Sequence, residues 1–355
     1  MPESGKIAPG AVTGILGTLR SAWPILVGVA LLALVPTIAQ LTDNPFLIRL
    51  FTRVLIFAIV ATALNFVLGF GALVSMMHAG LFGVGAYVVA ILAQHDFDGE
   101  KLWLLNGTSN LAISIPLAIL VTALVAMATG VVSLRTSGAY FIMITLAFNQ
   151  MLYYFFVALK KYGGDDGLQI LASLNFAGFD ISRRVTFYYT ALGVLVAALL
   201  FFWRLVDSRF GVILRATAQN ERRVVALGIP PLRYKLAAFV ISGAVTGLAG
   251  ALWATGQQFV SPSDMSWIKA ADFVVMAVLG GMARVWGPVF GALVIVLIEA
   301  LLPGYTIFWQ LPFGIFVILV VVWLRGGLAD LFRSEEHTSE LQSLAYLVCR
   351  LLLEK

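Results

Sequence analysis

The chain has 355 residues, of which 61% are hydrophobic and only 12% charged, and its formal net charge is +5. A soluble domain is nearer half apolar and a quarter charged, so this surface cannot be covered with polar groups and the accepting solvent is lipid. The net charge gathers largely in one loop, which excludes a nucleic-acid reading. The lone Cys349 excludes an internal disulfide or cysteine metal cluster, and His78, His95 and His337 are too scattered to suggest a metal site.

Residues 1–22 are mixed and polar, without a cleavable-leader pattern, and read as a cytoplasmic N-terminal segment. The membrane-spanning body is expected over residues 23–332. Long continuous apolar runs exclude a barrel and give an all-α polytopic bundle of about ten spans. In chain order they run Trp23–Gln40, Leu50–Phe70, Ala72–Ala93, Leu111–Ser133, Tyr140–Leu159, Thr186–Leu205, Leu236–Gly256, Ala271–Ala283, Pro288–Leu302 and Ile307–Leu324. The eighth and ninth are short, which suggests broken or tilted helices. Gly243 with Gly247, and Gly287 with Gly291, stand at the small-xxx-small spacing that lets membrane helices approach closely.

Between the sixth and seventh spans lies the basic loop 207–235. Arg204, Arg209, Arg215, Arg222, Arg223, Arg233 and Lys235 in and beside it are opposed only by Asp207 and Glu221, so the loop is expected in the cytoplasm and, with six spans before it, the N-terminus as well. The segment from Lys160 to Arg184 would then be external despite its own Lys and Arg residues. Between Thr217 and Gly228 the loop reads as a short helix. Thr217 or Asn220 is placed to cap it, Gly228 fits the left-handed stop, and Pro230 and Pro231 prevent continuation. Val224, Val225 and Leu227 beside Arg222 and Arg223 would make it a docking knob or, more plainly, a positive-inside connector.

Polar groups within spans are costly unless they meet protein or water. Asn65, Ser75, His78, Tyr87, Thr145 and Asn149 are candidates either to line a translocation path or to hydrogen-bond neighbouring helices, and Glu299 is read as a helix-to-helix hydrogen-bonding group. No phosphate-cradling glycine loop, zinc-protease or nucleophile-elbow motif occurs, so no catalytic residue and no metal site is assigned. Active transport would take its energy from a gradient or from another subunit.

Three stretches resemble one family. The order Ser208, Phe210, Gly211, Arg215, Ala216, Asn220, Glu221, then Ala226, Leu227, Gly228, Ile229, then Arg233, Tyr234, Lys235, Leu236, Ala238, Phe239, Ile241, Ser242 is similar to the cytoplasmic loop of LivM-type branched-chain amino acid permeases. Leu64–Leu92, with Asn65, Gly69, Ser75, His78, Ala79, Phe82, Gly83, Gly85, Ala86 and Tyr87, resembles a second block. A third runs over Arg135–Phe155, with Tyr140, Phe141, Met143, Thr145, Leu146, Ala147 and Phe148; Asn149 and Gln150 stand there where an acidic residue or glycine is usual. The external turn Gly163–Leu168 also matches, with Tyr162 in place of the usual threonine.

The resemblance covers most of Leu50–Phe332. It implies a fold like the vitamin B12-type ABC importers and a role in the bacterial inner membrane, moving leucine, isoleucine or valine. It also implies a second permease subunit, two ATPase subunits that use the ATP, and a periplasmic amino-acid-binding protein, with no cofactor on this chain. Arg215, Asn220, Glu221, Arg222, Ala226, Leu227, Gly228 and Ile229 then mark the coupling to the ATPase. Urea, short amides or aromatic acids are alternative cargoes of such permeases. An ion-coupled secondary transporter would need midplane carboxylates, for which Glu299 is the candidate, and a membrane enzyme would need clustered acid, base or metal ligands. Residues 333–355 fall outside the resemblance; Arg333–Ser343 is similar to a translated sequencing adapter, and the segment reads as a non-native tail.

Overall fold

The computed structural model describes residues 28, 31–99, 101–102, 105–172, 184–282, 284–304, 308 and 310–323. The predicted N-terminal segment, most of the first span's beginning and the tail lie outside them. Twelve helices are described: α1 (Leu31–Leu41), α2 (Pro45–Asn65), α3 (His78–Asp98), α4 (Leu111–Ser133), α5 (Ala139–Ala158), α6 (Arg184–Asp207), α7 (Arg209–Gln219), α8 (Glu221–Ala226), α9 (Pro231–Gln257), α10 (Trp267–Gly280), α11 (Gly287–Leu301) and α12 (Gln310–Trp323). Seven of the described helical segments are long and apolar enough to cross a membrane: α2 extended to Phe70, α3, α4, α5, α6, α9, and α11 extended to Gly304.

Local chemistry sets the ends. Pro45 opens α2 where its missing N–H costs nothing, and the Asn44 side chain accepts from the Phe46 N–H at 3.2 Å. Asn110 caps α4 in the same way through the Ala112 N–H, at 3.0 Å. Pro231 opens α9, and Ser266 caps α10 through the Lys269 N–H.

The helices sort by what they face. From Val54 to Val67 α2 is buried on every side, as expected of a helix apolar all round. It is flanked by α6, α9, α10 and α11, and α9 also packs along α3 and α4. By contrast, α4 and α5 expose Leu120, Leu124, Met127, Met143, Met151 and Phe155, the surface lipid would cover.

Close approach is made by the glycines. A Cβ on Gly247 would overlap the Thr122 side chain on α4, and one on Gly85 of α3 would overlap the Gly247 carbonyl. Gly243 faces Ala126 and Leu81, while Gly287 and Gly291 bring α11 onto the backbone of α10. Packed backbones gain dispersion and weak polar contact in place of a hydrophobic drive.

The described helices depart from the expected spans in several places. The third span was expected from Ala72, but α2 runs on through a π-turn to Phe70, the chain is irregular over 71–77, and α3 starts only at His78. The link over 71–77 joins the end of α2 to the start of α3, and Ala72 takes φ +52 within it. The short eighth span becomes α10, entered from a 3-10 turn at Pro262–Met265. Two short antiparallel ladders interrupt the all-α expectation. β1 (Lys101–Leu102) pairs with β2 (Leu105–Asn106), and β3 (Leu168–Gln169), in the expected external loop, pairs with β4 (Phe259–Val260) just after α9. These small ladders satisfy backbone groups at helix connections, which hydropathy does not register.

Candidate coupling surface and buried polar contacts

The basic loop folds as two helices rather than the one expected. Ser208 ends α6 and caps α7: its hydroxyl donates to the Leu205 carbonyl at 2.6 Å and accepts from the Gly211 N–H. Gly211, Leu214 and Thr217 form the buried stripe of α7. Thr217 is therefore no cap; its hydroxyl donates to the Ile213 carbonyl at 2.8 Å. Asn220 makes the break. At φ −156 it ends α7, and its side chain accepts from the Arg223 N–H at 3.1 Å to cap α8. The amphipathic spacing of Gly211, Leu214 and Thr217 was the available signal for α7.

The stop of α8 is a complete Schellman turn. Gly228 has φ +79, its N–H donates to the Val225 carbonyl at 2.9 Å, and the Ile229 N–H donates to the Val224 carbonyl at 3.3 Å. Val224 points inward, whereas Val225 and Leu227 are 55% and 77% exposed. Arg222, Arg223 and Ala226 are exposed beside them, and Ile229 is half-buried. The result is a short capped knob with an apolar face and a basic rim.

This knob is anchored to the bundle. Glu221 on α8 pairs with Lys235 on α9 at 2.7 Å, with the lysine side chain largely covered. Arg215 donates to the Val206 carbonyl at 3.1 Å, tying α7 to the end of α6. Phe210 stacks between Phe66 at the end of α2 and Tyr234 at the start of α9, with ring centroids 6.4 and 5.6 Å apart. A cavity of about 190 Å³ lies behind, lined by Gly71, Leu73, Leu134, Thr136, Thr217, Glu221 and Lys235 among others. The irregular 71–77 segment and the turn after α4 thus meet the loop at one end of the bundle.

Each candidate path residue is buried, and most hold backbone. The Asn149 carbonyl oxygen accepts from the Gly80 N–H at 2.6 Å and its amide donates to the Met265 carbonyl at 2.8 Å, so one side chain bridges α3, α5 and the 3-10 turn before α10. Thr145 accepts from the Met76 N–H at 3.2 Å, and Ser75 accepts from the Met77 N–H at 3.2 Å, so both satisfy the irregular segment. His78 Nε2 lies 2.8 Å from Ser242 Oγ, which donates on to the Ala63 carbonyl. The Asn65 amide donates to the Arg284 carbonyl at 2.9 Å. Tyr87 stacks on Phe156 at 4.2 Å, and its hydroxyl has no hydrogen-bond partner among the described residues. These six are spread through the bundle, and none lines the cavity behind α8.

A half-buried charge cluster escaped the residue-by-residue reading. Glu299 on α11 pairs with Arg53 on α2 and, at 3.5 Å, with Lys269 on α10, which also reaches Asp272 at 3.3 Å. The Arg53 guanidinium and the Lys269 ammonium lie 5.1 and 5.7 Å from the Phe57 ring centre. Two cations and two carboxylates neutralise one another across three helices, which lowers the cost of keeping charge inside. Glu299, the carboxylate that an ion-coupled carrier was expected to use, is thereby committed to ion pairs. Arg53 lies inside the second expected span and Lys269 just before the eighth, and their pairing with Glu299 depends on the fold.

Residues 46–324 match the protein family described as the branched-chain amino acid transport system permease component. The chain is 28% identical over 308 residues to the "High-affinity branched-chain amino acid transport system permease protein LivM" of Salmonella typhimurium, covering 80% of this chain and 70% of that one. The protein of the same description in Escherichia coli is 27% identical over the same coverage. The "Autoinducer 2 import system permease protein LsrC" of Salmonella typhi is 30% identical over 129 residues, 34% of this chain and 37% of its own. No solved structure matches.

Proposed function

The chain belongs to the branched-chain amino acid transport system permease family, and from that premise we propose that it is the membrane-spanning permease subunit of an ATP-driven importer of leucine, isoleucine and valine. It is a multi-pass membrane protein, placed by this reading in the bacterial inner membrane with α7, α8 and its N-terminus in the cytoplasm. ATP is bound and hydrolysed by two partner ATPase subunits; a second permease and a periplasmic amino-acid-binding protein complete the machine. The finer architecture belongs to the same proposal: α1, α10 and α12 join the seven long helices to give ten spans, arranged as in vitamin B12-type importers.

The observation that carries the mechanism is α8: capped at both ends, exposed through Val225 and Leu227, and clamped to α9 by the Glu221–Lys235 pair. A knob so held transmits displacement, because a push on it moves α9, and α9 packs on α3 and α4. ATP closure needs only to favour one arrangement of these helices over another. The buried polar residues serve as fixed joints in that motion. An aliphatic amino acid needs few charged contacts on its way, which agrees with the mostly apolar interior.

The test is reconstitution with the partner permease, ATPases and binding protein in liposomes. ATP-driven leucine uptake that disappears in Leu227→Asp, with the complex still assembled, is the expected result. Leucine uptake by this chain alone without ATP would overturn the proposal, and ATP turnover without leucine uptake would remove the cargo assignment.

A further inference from the structure

At the end of the bundle opposite α7 and α8, the first turns of α2 and α6 and the last turn of α9 enclose a cavity of about 400 Å³. Three guanidinium groups line it: Arg49 and Arg53 from α2 and Arg184 from α6. Thr52 and Gln257 add neutral hydrogen-bonding groups and Trp253 an apolar wall, and no carboxylate is among the lining residues. Neither Arg49 nor Arg184 has an ion-pair partner among the described residues. Arg53 gives one terminal nitrogen to Glu299, but its buried Nε–H finds no acceptor among the described residues. Arg49 and Arg184, both exposed, bring positive charge without a counter-charge beside Arg53, and a buried donor without an acceptor costs free energy. Both are relieved by an anion with several acceptor oxygens.

We propose that this cavity binds the phosphate of an anionic phospholipid headgroup. The charge excludes a neutral ligand and disfavours a zwitterion, since nothing in the lining balances an ammonium. The position selects the source: α2, α6 and α9 are all long enough to cross the membrane, and the cavity lies at their ends, the level of lipid headgroups. Arginine suits phosphate because its planar fork donates two parallel hydrogen bonds. The site rests on the bundle spanning a membrane and not on which solute it carries. A bound lipid would hold the ends of α2, α6 and α9 together next to the Arg53–Glu299 pair.

The test uses the assembled complex in nanodiscs of phosphatidylcholine with a minor fraction of phosphatidylglycerol, with retained lipid read by native mass spectrometry. Phosphatidylglycerol is expected to be retained over phosphatidylcholine. The Arg49→Gln, Arg184→Gln double variant is expected to lose that preference by about twenty-five-fold, roughly five-fold for each arginine. If the double variant does not assemble, Arg49→Gln alone, at an exposed position, is expected to lower it about five-fold. Equal retention of the two lipids by the unaltered chain, or an unchanged preference in the variants, overturns the site. Displacement of the lipid by inorganic phosphate overturns the lipid in favour of a soluble anion, and displacement by leucine overturns it in favour of the transported solute.

Discussion

Replacing Gly228 by proline tests whether α8 must be held in one geometry. Three effects act at once. Gly228 sits at φ +79, and proline is locked near −65°, so the left-handed turn is lost outright. The Gly228 N–H that donates to the Val225 carbonyl at 2.9 Å disappears, worth about 1 kcal/mol. Leu227, at φ −81 and ψ 3, lies in a region disfavoured before proline. Forcing a side-chain-bearing residue into the left-handed region alone costs roughly 1–2 kcal/mol, so the local total is about 3 kcal/mol or more. A six-residue helix has little stability of its own to absorb that. Uptake of leucine by the reconstituted complex is therefore expected to fall at least about ten-fold. Global stability should barely change, because Gly228 is exposed and an added Cβ meets nothing within 4 Å. Gly228→Ala keeps the N–H and should give an intermediate loss. Uptake at the unaltered rate in Gly228→Pro, with the complex intact, would refute the reasoning that a fixed α8 carries the coupling.

Asn149→Leu strands the Gly80 N–H and the Met265 carbonyl in a buried site; a loss of about 2–4 kcal/mol is expected, read as a lower unfolding midpoint in detergent. Glu299→Gln leaves Arg53 and Lys269 without their shared carboxylate, though Lys269 keeps Asp272, and should destabilise by about 1–3 kcal/mol; the Arg53→Met, Glu299→Leu pair should cost less than Arg53→Met and Glu299→Leu separately add up to, a double-mutant cycle in the same melt. Gly247→Ala drives a methyl into Thr122 and should cost about 1–3 kcal/mol, visible as a reduced monodisperse fraction on size exclusion. Glu221→Arg removes the pair with Lys235 and places like charges together, so uptake is expected to drop while ATP hydrolysis by the partner subunits continues uncoupled; tightly coupled ATP use in this variant would count against the Glu221–Lys235 clamp.

The membrane character, the positions of the long helices and the stop of α8 were legible in the chain itself, because each rests on local chemistry. A run of apolar residues has to be lipid-facing or buried wherever it lies. Asn220, Gly228 and the two prolines act on backbone atoms within a few residues. Asn65, His78 and Asn149 stood out for a similar reason, since a polar side chain in an apolar run needs a partner somewhere. Which partner it finds was not legible. Asn149 reaches Met265 and His78 reaches Ser242 only because α3, α5 and α9 cross as they do. The irregular 71–77 segment is held in part by the Met76 N–H donating to Thr145, far along the chain. The Arg53–Glu299–Lys269 cluster and the arginine-lined cavity likewise join residues from separate helices. Periodicity and composition describe one segment at a time, whereas a charge is tolerated or left without counter-charge according to what neighbouring helices bring to it, and that is decided by packing alone.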